Sequence, residues 1–211
     1  MELDNIRREY NKGNLSESDV NPSPMDQFGL WMKDALFFIP DDPTAMILST
    51  STASGSPSSR IVLLKDFNEN GFTFFTNYES RKGQELLSNP QASILFYWKE
   101  LERQIRIEGI VLKTDAIISN DYFDSRPMES RIAANASEQS AEIDSREGLD
   151  KTFDKLKEYF KKTPIVRPIN WGGYILKPDY FEFWQGRENR MHDRIIYVFE
   201  NDLWKIKRLA P

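Results

Sequence analysis

The stretch AMILSTSTASGSPSSRIVLLKDFNENGFTFFT, residues 45–76, decides the fold of this chain. It holds three short runs rich in β-branched, aliphatic and aromatic residues, which are 45–50, 60–65 and 72–76. The Asn70-Gly71 pair before the last run is a signal for a tight hairpin turn. Strands that follow one another without a long helix between them predict an antiparallel meander and disfavour a parallel α/β sheet.

The residues on either side extend this pattern into a mainly β fold with flanking helices. Upstream, Ser23 and Pro24 provide a cap and a first-turn proline for a helix whose apolar residues follow at helical spacing up to Ile39. Further strands are predicted at 92–98, 102–112, 173–177, 180–185, 194–199 and 203–208. Further helices are predicted at 80–88, at 115–134 and from Gly148 onward. Antiparallel strands in this number, interrupted by helices, predict a barrel or strongly curved sheet with helices packed outside it.

The chain of 211 residues is predicted to form one domain, residues 21–211, preceded by an N-terminal arm, residues 1–20. The arm is polar, with a short helix expected around Arg7 to Tyr10, and we interpret it either as disordered or as a lid over a site. No internal repeat and no long linker divides the rest of the chain.

The composition excludes several classes of function. A net charge of −5 provides no general positive field, so a nucleic-acid partner is not expected. Zero cysteines and a single histidine exclude thiolate chemistry and leave no basis for a metal site. No apolar run approaches the ~20 residues of a membrane helix, and the polar start lacks the apolar stretch of a signal peptide. We therefore expect a soluble, cytoplasmic protein without a membrane partner.

Basic side chains stand at several places where core packing does not require them. Arg60 and Lys65 bracket four aliphatic residues, although a core strand with solvated ends would have the same pattern. Arg81 and Lys82 lie in the first turn of a predicted helix, where two positive charges oppose the helix dipole unless an anion binds there. The alternative is two exposed basic side chains that tolerate a small penalty.

Two further groups favour an anionic partner. If residues 190–194 are extended, one face carries three basic side chains, which are Arg190, His192 and Arg194. Around Pro127, a phenol, a guanidinium and a hydroxyl recur every four residues as Tyr122, Arg126 and Ser130. A polar helical face is the alternative explanation for the second group. Taken together, the cations exceed what one phosphate dianion needs and suggest two phosphorylated ligands.

The chain resembles the FMN-dependent pyridoxine (pyridoxamine) 5′-phosphate oxidases over most of its length. The motifs that carry the resemblance are RREY (7–10), DPTA (42–45), RIVLLK (60–65), SRK (80–82), LERQ (101–104), YFDSRP (122–127), QS (139–140), WGG (171–173), FWQG (183–186), RMHDR (190–194) and WKIKRLAP (204–211). The order and spacing of these motifs together make the resemblance to this family highly specific. Phe75 departs from the family pattern, since a tyrosine is common there, and residues 134–136 lack a tryptophan that the family often has.

The resemblance implies a split β-barrel with Greek-key-like antiparallel strands, and a homodimer with two FMN sites that are each built from both chains. It implies that FMN is bound by Arg60, Ile61, Val62, Leu63, Leu64, Lys65, Phe75, Thr76, Arg81, Lys82, Gln104, Gln139, Ser140, Trp184 and Arg194. It implies that the phosphorylated substrate is bound by Arg7, Arg8, Glu9, Tyr10, Lys65, Tyr122, Arg126, Ser130, Arg190, Met191 and His192. Arg190 and His192 are the implied catalytic residues.

The implied reaction is the oxidation of C4′ of pyridoxamine or pyridoxine 5′-phosphate to the aldehyde, with FMN taking two electrons and O2 being reduced to hydrogen peroxide. Two alternatives remain: a non-catalytic protein that binds FMN or pyridoxal phosphate, and another flavin oxidoreductase on the same barrel. One conflict also remains. Arg60 and Lys65 have opposite parity on a regular strand, so both reach one site only if the strand is interrupted or contacts it through its backbone.

Overall fold

The computed structural model describes Asn5 and residues 8–211. This part of the chain contains five helices, which are α1 (Pro24–Phe38), α2 (Arg81–Ser88), α3 (Ala116–Ser125), α4 (Met128–Ala136) and α5 (Arg146–Tyr159). Its nine strands are β1 (Ala45–Ser51), β2 (Pro57–Leu63), β3 (Asp66–Asn68), β4 (Gly71–Asn77), β5 (Gln91–Trp98), β6 (Arg103–Lys113), β7 (Trp171–Gln185), β8 (Asp193–Glu200) and β9 (Leu203–Leu209). The predicted mainly β class with flanking helices is confirmed.

These strands form one antiparallel sheet that branches at β7. Its main path is β2-β1-β5-β6-β7-β4-β3, and β8 and β9 continue from β7. The first half of β7 pairs with β4 and the second half with β8, while β6 runs beside both halves. The register shifts between Glu108 and Gly109, where an added Cβ would lie 2.0 Å from the carbonyl oxygen of Lys177. A bulge of this kind bends the strands and curls the sheet, as the prediction of a strongly curved sheet requires.

Helix α1 packs on the inner face of the curled sheet. Its first turn is capped by Ser23, whose hydroxyl accepts a hydrogen bond from the amide of Asp26 at 3.2 Å. Phe28 is fully buried, with its ring centroid 4.8 Å from that of Phe72 and 5.3 Å from that of Phe96. Burial of a phenylalanine contributes about 1.5–3 kcal/mol, so this contact makes α1 part of the sheet's core.

Prolines explain two differences from the predicted elements. The helix predicted over 115–134 is two helices, because Pro127 has no amide hydrogen and disfavours helical geometry in the residue before it. The strands predicted at 173–177 and 180–185 are the single strand β7. Pro178 lies at the register shift, where the regular hydrogen bonding between β6 and β7 is interrupted, so its missing amide hydrogen removes no regular bond from the sheet.

Candidate functional site

A cavity of about 830 Å³ lies between β2, the end of β4, the start of α2 and the α3–α4 pair. Residues from both predicted sets line it together: Arg60, Ile61, Val62, Leu63, Lys65, Phe75, Thr76, Arg81, Lys82, Tyr122, Arg126, Ser130, Gln139 and Ser140. Leu64 differs from its neighbours, because its side chain is buried in the core. The residues predicted to bind cofactor and the residues predicted to bind substrate phosphate therefore share one cavity.

Arg60 and Lys65 reach the same cavity because β2 ends between them. The strand stops at Leu63, two residues short of the end predicted from sequence. The amide of Lys65 then donates to the carbonyl of Thr73 on β4 at 2.9 Å. The chain has changed its partner strand, so the alternation of side chains starts again and the parity conflict disappears.

Lys82 is a buried cation in the first turn of α2, with 8% of its surface exposed. Its Nζ donates to three neutral oxygens, which are Oε1 of Gln139 at 2.8 Å, Oγ1 of Thr76 at 3.1 Å and Oγ of Ser80 at 3.2 Å. Burial and the charge of Arg60 lower the pKa of Lys82 to about 8, against an opposing effect of Glu85. An ammonium without an acidic partner at a helix N-terminus fits a bound anion.

Arg60 and Arg81 share one buried carboxylate, that of Glu85. Burial favours the neutral form of Glu85, yet hydrogen bonds from hydroxyls and from both arginines outweigh it and lower the pKa of Glu85 to about 2. Sequence reasoning missed this residue. Its position four residues after Arg81 on one helix was the available signal, because such pairs face each other.

A second cationic position lies on an aromatic surface on the other side of the cavity. Phe75 and Tyr122 stack with centroids 3.9 Å apart, and Trp171 continues the stack. The guanidinium of Arg126 lies 4.6 Å from the centroid of Trp171. Its Nη1 is buried without a hydrogen-bond partner among the described residues, and burial lowers the pKa of Arg126. A buried guanidinium nitrogen in this state fits an anion that has both charge and acceptor oxygens.

Gln104, Trp184 and Arg194 do not line this cavity; they form a row across three neighbouring strands. Trp184 on β7 pairs directly with Gln104 on β6 and with Arg194 on β8, so the three side chains share one face of the sheet at one level. Arg194 is already paired, since its Nε donates to Glu182 at 2.7 Å. The predicted cofactor residues are thus divided between the cavity and this row.

His192 lies next to the row. Its ring centroid is 4.7 Å from that of Trp184, and its Nδ1 accepts a hydrogen bond from the amide of Arg187 at 3.1 Å. The neutral ring therefore carries its proton on Nε2. Burial and the charge of Arg190 lower the pKa of His192, which favours that neutral form.

The condition under which Arg190, His192 and Arg194 would share one face, an extended chain over residues 190–194, does not hold at Arg190. Glu188–Arg190 form a single 3₁₀ turn, and β8 begins only at Asp193. Asn189 has φ 55° and Arg190 has φ 60°, so two successive residues adopt the left-handed conformation. Non-glycine residues in this region carry strain of about 1–3 kcal/mol, which is found most often at functional sites. Neither Arg190 nor the exposed Met191 lines the cavity.

The N-terminal arm lies on the same end of the sheet as His192, and its residues 8–10 are not helical. The buried carboxylate of Glu102 accepts hydrogen bonds from Arg8 at 2.7 Å and from two arm amides. Tyr10 packs edge-on against Trp184 and His192.

Glu9 and Arg7 are the other two arm residues predicted to bind the substrate. Glu9 accepts a hydrogen bond from the amide of Asn189 at 3.2 Å. Arg7 lies outside the described residues. None of the described arm residues lines the large cavity.

Gly186 makes the contact of the arm possible, because a Cβ at this position would lie 2.7 Å from the ring of Tyr10. Arg208 on β9 holds the following segment by donating to the carbonyl of Leu15 and to the carboxylate of Glu17. The described part of the arm is therefore bound to the domain at several points.

Within the described part of the chain, no helix is long and apolar enough to cross a membrane. The same residues contain no group of three or more His, Asp or Glu side chains suited to a metal ion.

Comparison with known proteins gives consistent matches over the whole chain. Residues 32–160 match the family described as Pyridoxamine 5′-phosphate oxidase, and residues 171–211 match the Pyridoxine 5′-phosphate oxidase C-terminal dimerisation region. A curated relative from Paraburkholderia phymatum, named pyridoxine/pyridoxamine 5′-phosphate oxidase, is 52% identical over 210 residues and 99% of both chains. A relative of the same name from Cyanothece sp. is 47% identical over 211 residues, 100% of this chain and 99% of its own.

Two solved structures resemble the chain in fold. PhzG from Burkholderia lata 383, in complex with tetrahydrophenazine-1-carboxylic acid, has a TM-score of 0.88 and 30% identity over 93% of this chain and 98% of its own. A pyridoxamine 5′-phosphate oxidase-related, FMN binding protein from Nostoc punctiforme has a TM-score of 0.73 and 17% identity over 91% of this chain and 100% of its own. At that identity the second likeness concerns the fold alone. The split barrel expected from the sequence is confirmed.

Proposed function

Because the chain belongs to the pyridoxine/pyridoxamine 5′-phosphate oxidase family, we propose that it oxidises pyridoxamine or pyridoxine 5′-phosphate to pyridoxal 5′-phosphate, with O2 as electron acceptor. The protein is an oxidoreductase of this type, and FMN is its cofactor. With the alcohol, O2 is consumed and hydrogen peroxide released. With the amine, a water molecule is also consumed and ammonia released. The observation that carries the proposal is the presence of two unneutralised cationic positions in one cavity.

Lys82 and Arg126 mark these two positions, and they suit the two phosphates that the reaction requires. FMN and the substrate each carry one phosphate, and both ligands have a planar ring. Lys82 is buried among neutral oxygens, and a nitrogen of Arg126 is buried without a partner. Since a buried charge is costly unless an opposite charge pairs with it, even where neutral groups accept its hydrogen bonds, the residues present fit two phosphorylated ligands.

The phosphate of FMN is assigned to the start of α2, where Arg60, Arg81 and Lys82 meet the free amides of the helix. The phosphate of the substrate is assigned to the second position, formed by Lys65, Tyr122, Arg126 and Ser130. FMN held with its phosphate at the start of α2 would supply the acceptor for the two electrons that leave C4′ of the substrate, with O2 as the final oxidant. The aromatic surface of Phe75 and Tyr122 limits the access of water beside the substrate's ring. The task of these residues is to hold the reacting carbon in a productive orientation.

Gln104, Trp184, Arg190, His192 and Arg194 are proposed to reach the cavity of the second subunit in a homodimer. Residues 171–211 form a dimerisation region, and they contain four of these five residues. The outer face that carries the row also bears exposed apolar side chains, with Ile61 71% exposed and Tyr97 50% exposed. Ile61 lines the cavity itself, so a second copy packed on this face would bring its own row close to the cavity.

His192 and Arg190 are proposed to act at the substrate's reacting carbon. Because Nδ1 of His192 accepts a hydrogen bond from the amide of Arg187, only Nε2 is available to exchange a proton or form a hydrogen bond with the substrate. Arg190 stays charged at neutral pH, so its contribution is orientation and electrostatic stabilisation and not proton transfer.

One assay tests the proposed function against its alternatives. Purified yellow protein is mixed with pyridoxamine 5′-phosphate in air, and hydrogen peroxide and the aldehyde are measured together. Equal amounts of both are expected. Flavin and ligand binding without either product would identify a carrier protein. Turnover of a non-phosphorylated substrate such as a reduced phenazine carboxylate, with none of the vitamin phosphate, would identify a different oxidase on the same barrel.

A further inference from the structure

Glu85 is a buried acidic residue that receives hydrogen bonds from three different elements around the cavity. Its Oε2 accepts from Thr50 on β1 at 2.5 Å and from Ser58 on β2 at 2.6 Å. Arg60 on β2 donates to the same oxygen at 3.3 Å, while Nε of Arg81 donates to Oε1 at 2.9 Å. Both carboxylate oxygens are therefore occupied, and the side chain has 4% of its surface exposed.

The carboxylate of Glu85 accepts a hydrogen bond from one side of each guanidinium group and so limits the orientation of Arg60 and Arg81. Arg81 is 63% exposed, and its bond to Glu85 is its one side-chain hydrogen bond within the described residues. Without that bond its long side chain would sample many rotamers over the cavity mouth. Arg60 is held more fully, because it also donates to the carbonyl of Leu48 at 3.1 Å. The orientation of Arg81 in particular depends on Glu85.

The balance of charge around Glu85 is also informative. Three cations, Arg60, Arg81 and Lys82, meet one carboxylate, so the group keeps an excess of two positive charges before any ligand binds. A phosphate with two negative charges would neutralise the group. Glu85 therefore lowers the mutual repulsion of the cations without cancelling the attraction for a phosphate dianion.

We propose that Glu85 is a positioning residue that orients Arg60 and Arg81 toward the phosphate of FMN. This inference rests on the proposed assignment of that phosphate to the start of α2. Glu85 would raise the affinity for the phosphate although it has the same sign of charge. A carboxylate that acted only through its charge would do the opposite, because its removal would strengthen the binding of an anion.

The test compares FMN with riboflavin, which has the same ring system and no phosphate. Apoprotein is prepared for the wild type and for Glu85→Gln, and both flavins are titrated by the quenching of their fluorescence. The Kd of FMN is expected to rise about tenfold in Glu85→Gln, which corresponds to about 1.4 kcal/mol, while the Kd of riboflavin changes less than about twofold. Glu79→Gln is the matched control, because Glu79 is an exposed acid on the same segment that pairs with neither arginine, and its loss should weaken the binding of neither flavin.

Three outcomes overturn the inference. Unchanged or tighter binding of FMN in Glu85→Gln would show that the residue acts at most through its charge. An equal loss of FMN and riboflavin would show a role in the fold alone. A third variant, Lys82→Met, tests the assignment of the FMN phosphate to the start of α2. If this variant also changes the Kd of FMN no more than the Kd of riboflavin, the phosphate is bound elsewhere. The proposed role of Glu85 then fails together with that assignment. If Lys82→Met separates the two flavins and Glu85→Gln does not, only the role of Glu85 fails.

Discussion

Replacing Lys82 by methionine is expected to stabilise the protein without cofactor and to weaken its binding of FMN. Lysine has an ordinary pKa of 10.5, and in the folded protein burial and Arg60 lower the pKa of Lys82 to about 8. At about 1.4 kcal/mol per pKa unit, this difference corresponds to a cost of about 3 kcal/mol for the charged form. Methionine keeps most of the stem and removes the charge, while Thr76 still donates to Gln139. We expect the free energy of unfolding of the apoprotein at pH 7 to rise by about 1–3 kcal/mol.

The sign of the pH dependence follows from the lowered pKa of Lys82. Between pH 8 and 10.5 the unfolded chain holds a proton that the folded chain has lost, so the wild-type apoprotein becomes more stable as the pH rises through this window. Below pH 8 both states are protonated and the full cost remains. A bound phosphate favours the ammonium, so binding of FMN above pH 8 takes up a proton. The Kd of FMN should therefore rise with pH above 8, by up to about tenfold per unit.

The measurements are urea unfolding of the apoprotein and titration with FMN and riboflavin, each between pH 6.5 and 9.5. Riboflavin controls for ionisation of the flavin ring. In Lys82→Met, the Kd of FMN at pH 7 should rise about 10- to 100-fold, because a charge-assisted contact contributes about 1.5–3 kcal/mol, and the dependence on pH above 8 should disappear. An unchanged affinity for FMN in the variant, or a pH dependence that persists in it, would refute this reasoning.

Three further substitutions test other parts of the site. Arg126→Met should raise the KM for pyridoxamine 5′-phosphate more than about tenfold with little change in kcat or in the Kd of FMN; loss of FMN instead would assign this position to the flavin. Gly186→Ala should displace the arm, because the added Cβ lies 2.7 Å from the ring of Tyr10, and limited proteolysis within residues 8–17 should become faster. His192→Asn cannot titrate near neutrality, so kcat should fall about 100-fold with a flattened pH profile, whereas a wild-type rate and profile would leave the residue a structural role only.

The parts of the fold that the sequence predicts are those set by local signals. The cap at Ser23 and the Asn70-Gly71 turn each depend on neighbours within a few residues, and both lie where the structure has the corresponding elements. The continuity of β7 through Pro178 was not predictable in the same way. It depends on the pairing with β6, about seventy residues earlier in the chain, where the register shift leaves Asp179 without a partner and places the proline beside this bulge.

The same distinction between local signals and contacts that are distant in sequence applies to the site. The cations of the cavity were predictable, because lysine and arginine in a helix's first turn or in an apolar strand conflict with the simplest packing. The burial of Glu85 and Glu102 was not predictable, since an acidic residue in a polar segment has no local signal of burial, although the spacing of Glu85 from Arg81 did indicate a pair. Glu102 is buried only because arm residues about ninety positions away donate to it. The conformation of Arg190 was not predictable either, because no local signal indicates two successive left-handed residues at Asn189 and Arg190.

The separation of the cavity from the row of Gln104, Trp184 and Arg194 has a genetic consequence if the sites are shared as proposed. A harmful change in the cavity then disables the site on its own side of the dimer, whereas a harmful change in the row disables the site across the interface. Two chains that are each inactive alone, one altered in the cavity and one in the row, would form a mixed dimer with one doubly damaged centre and one that is whole. Two defective alleles could thus complement each other within a single molecule.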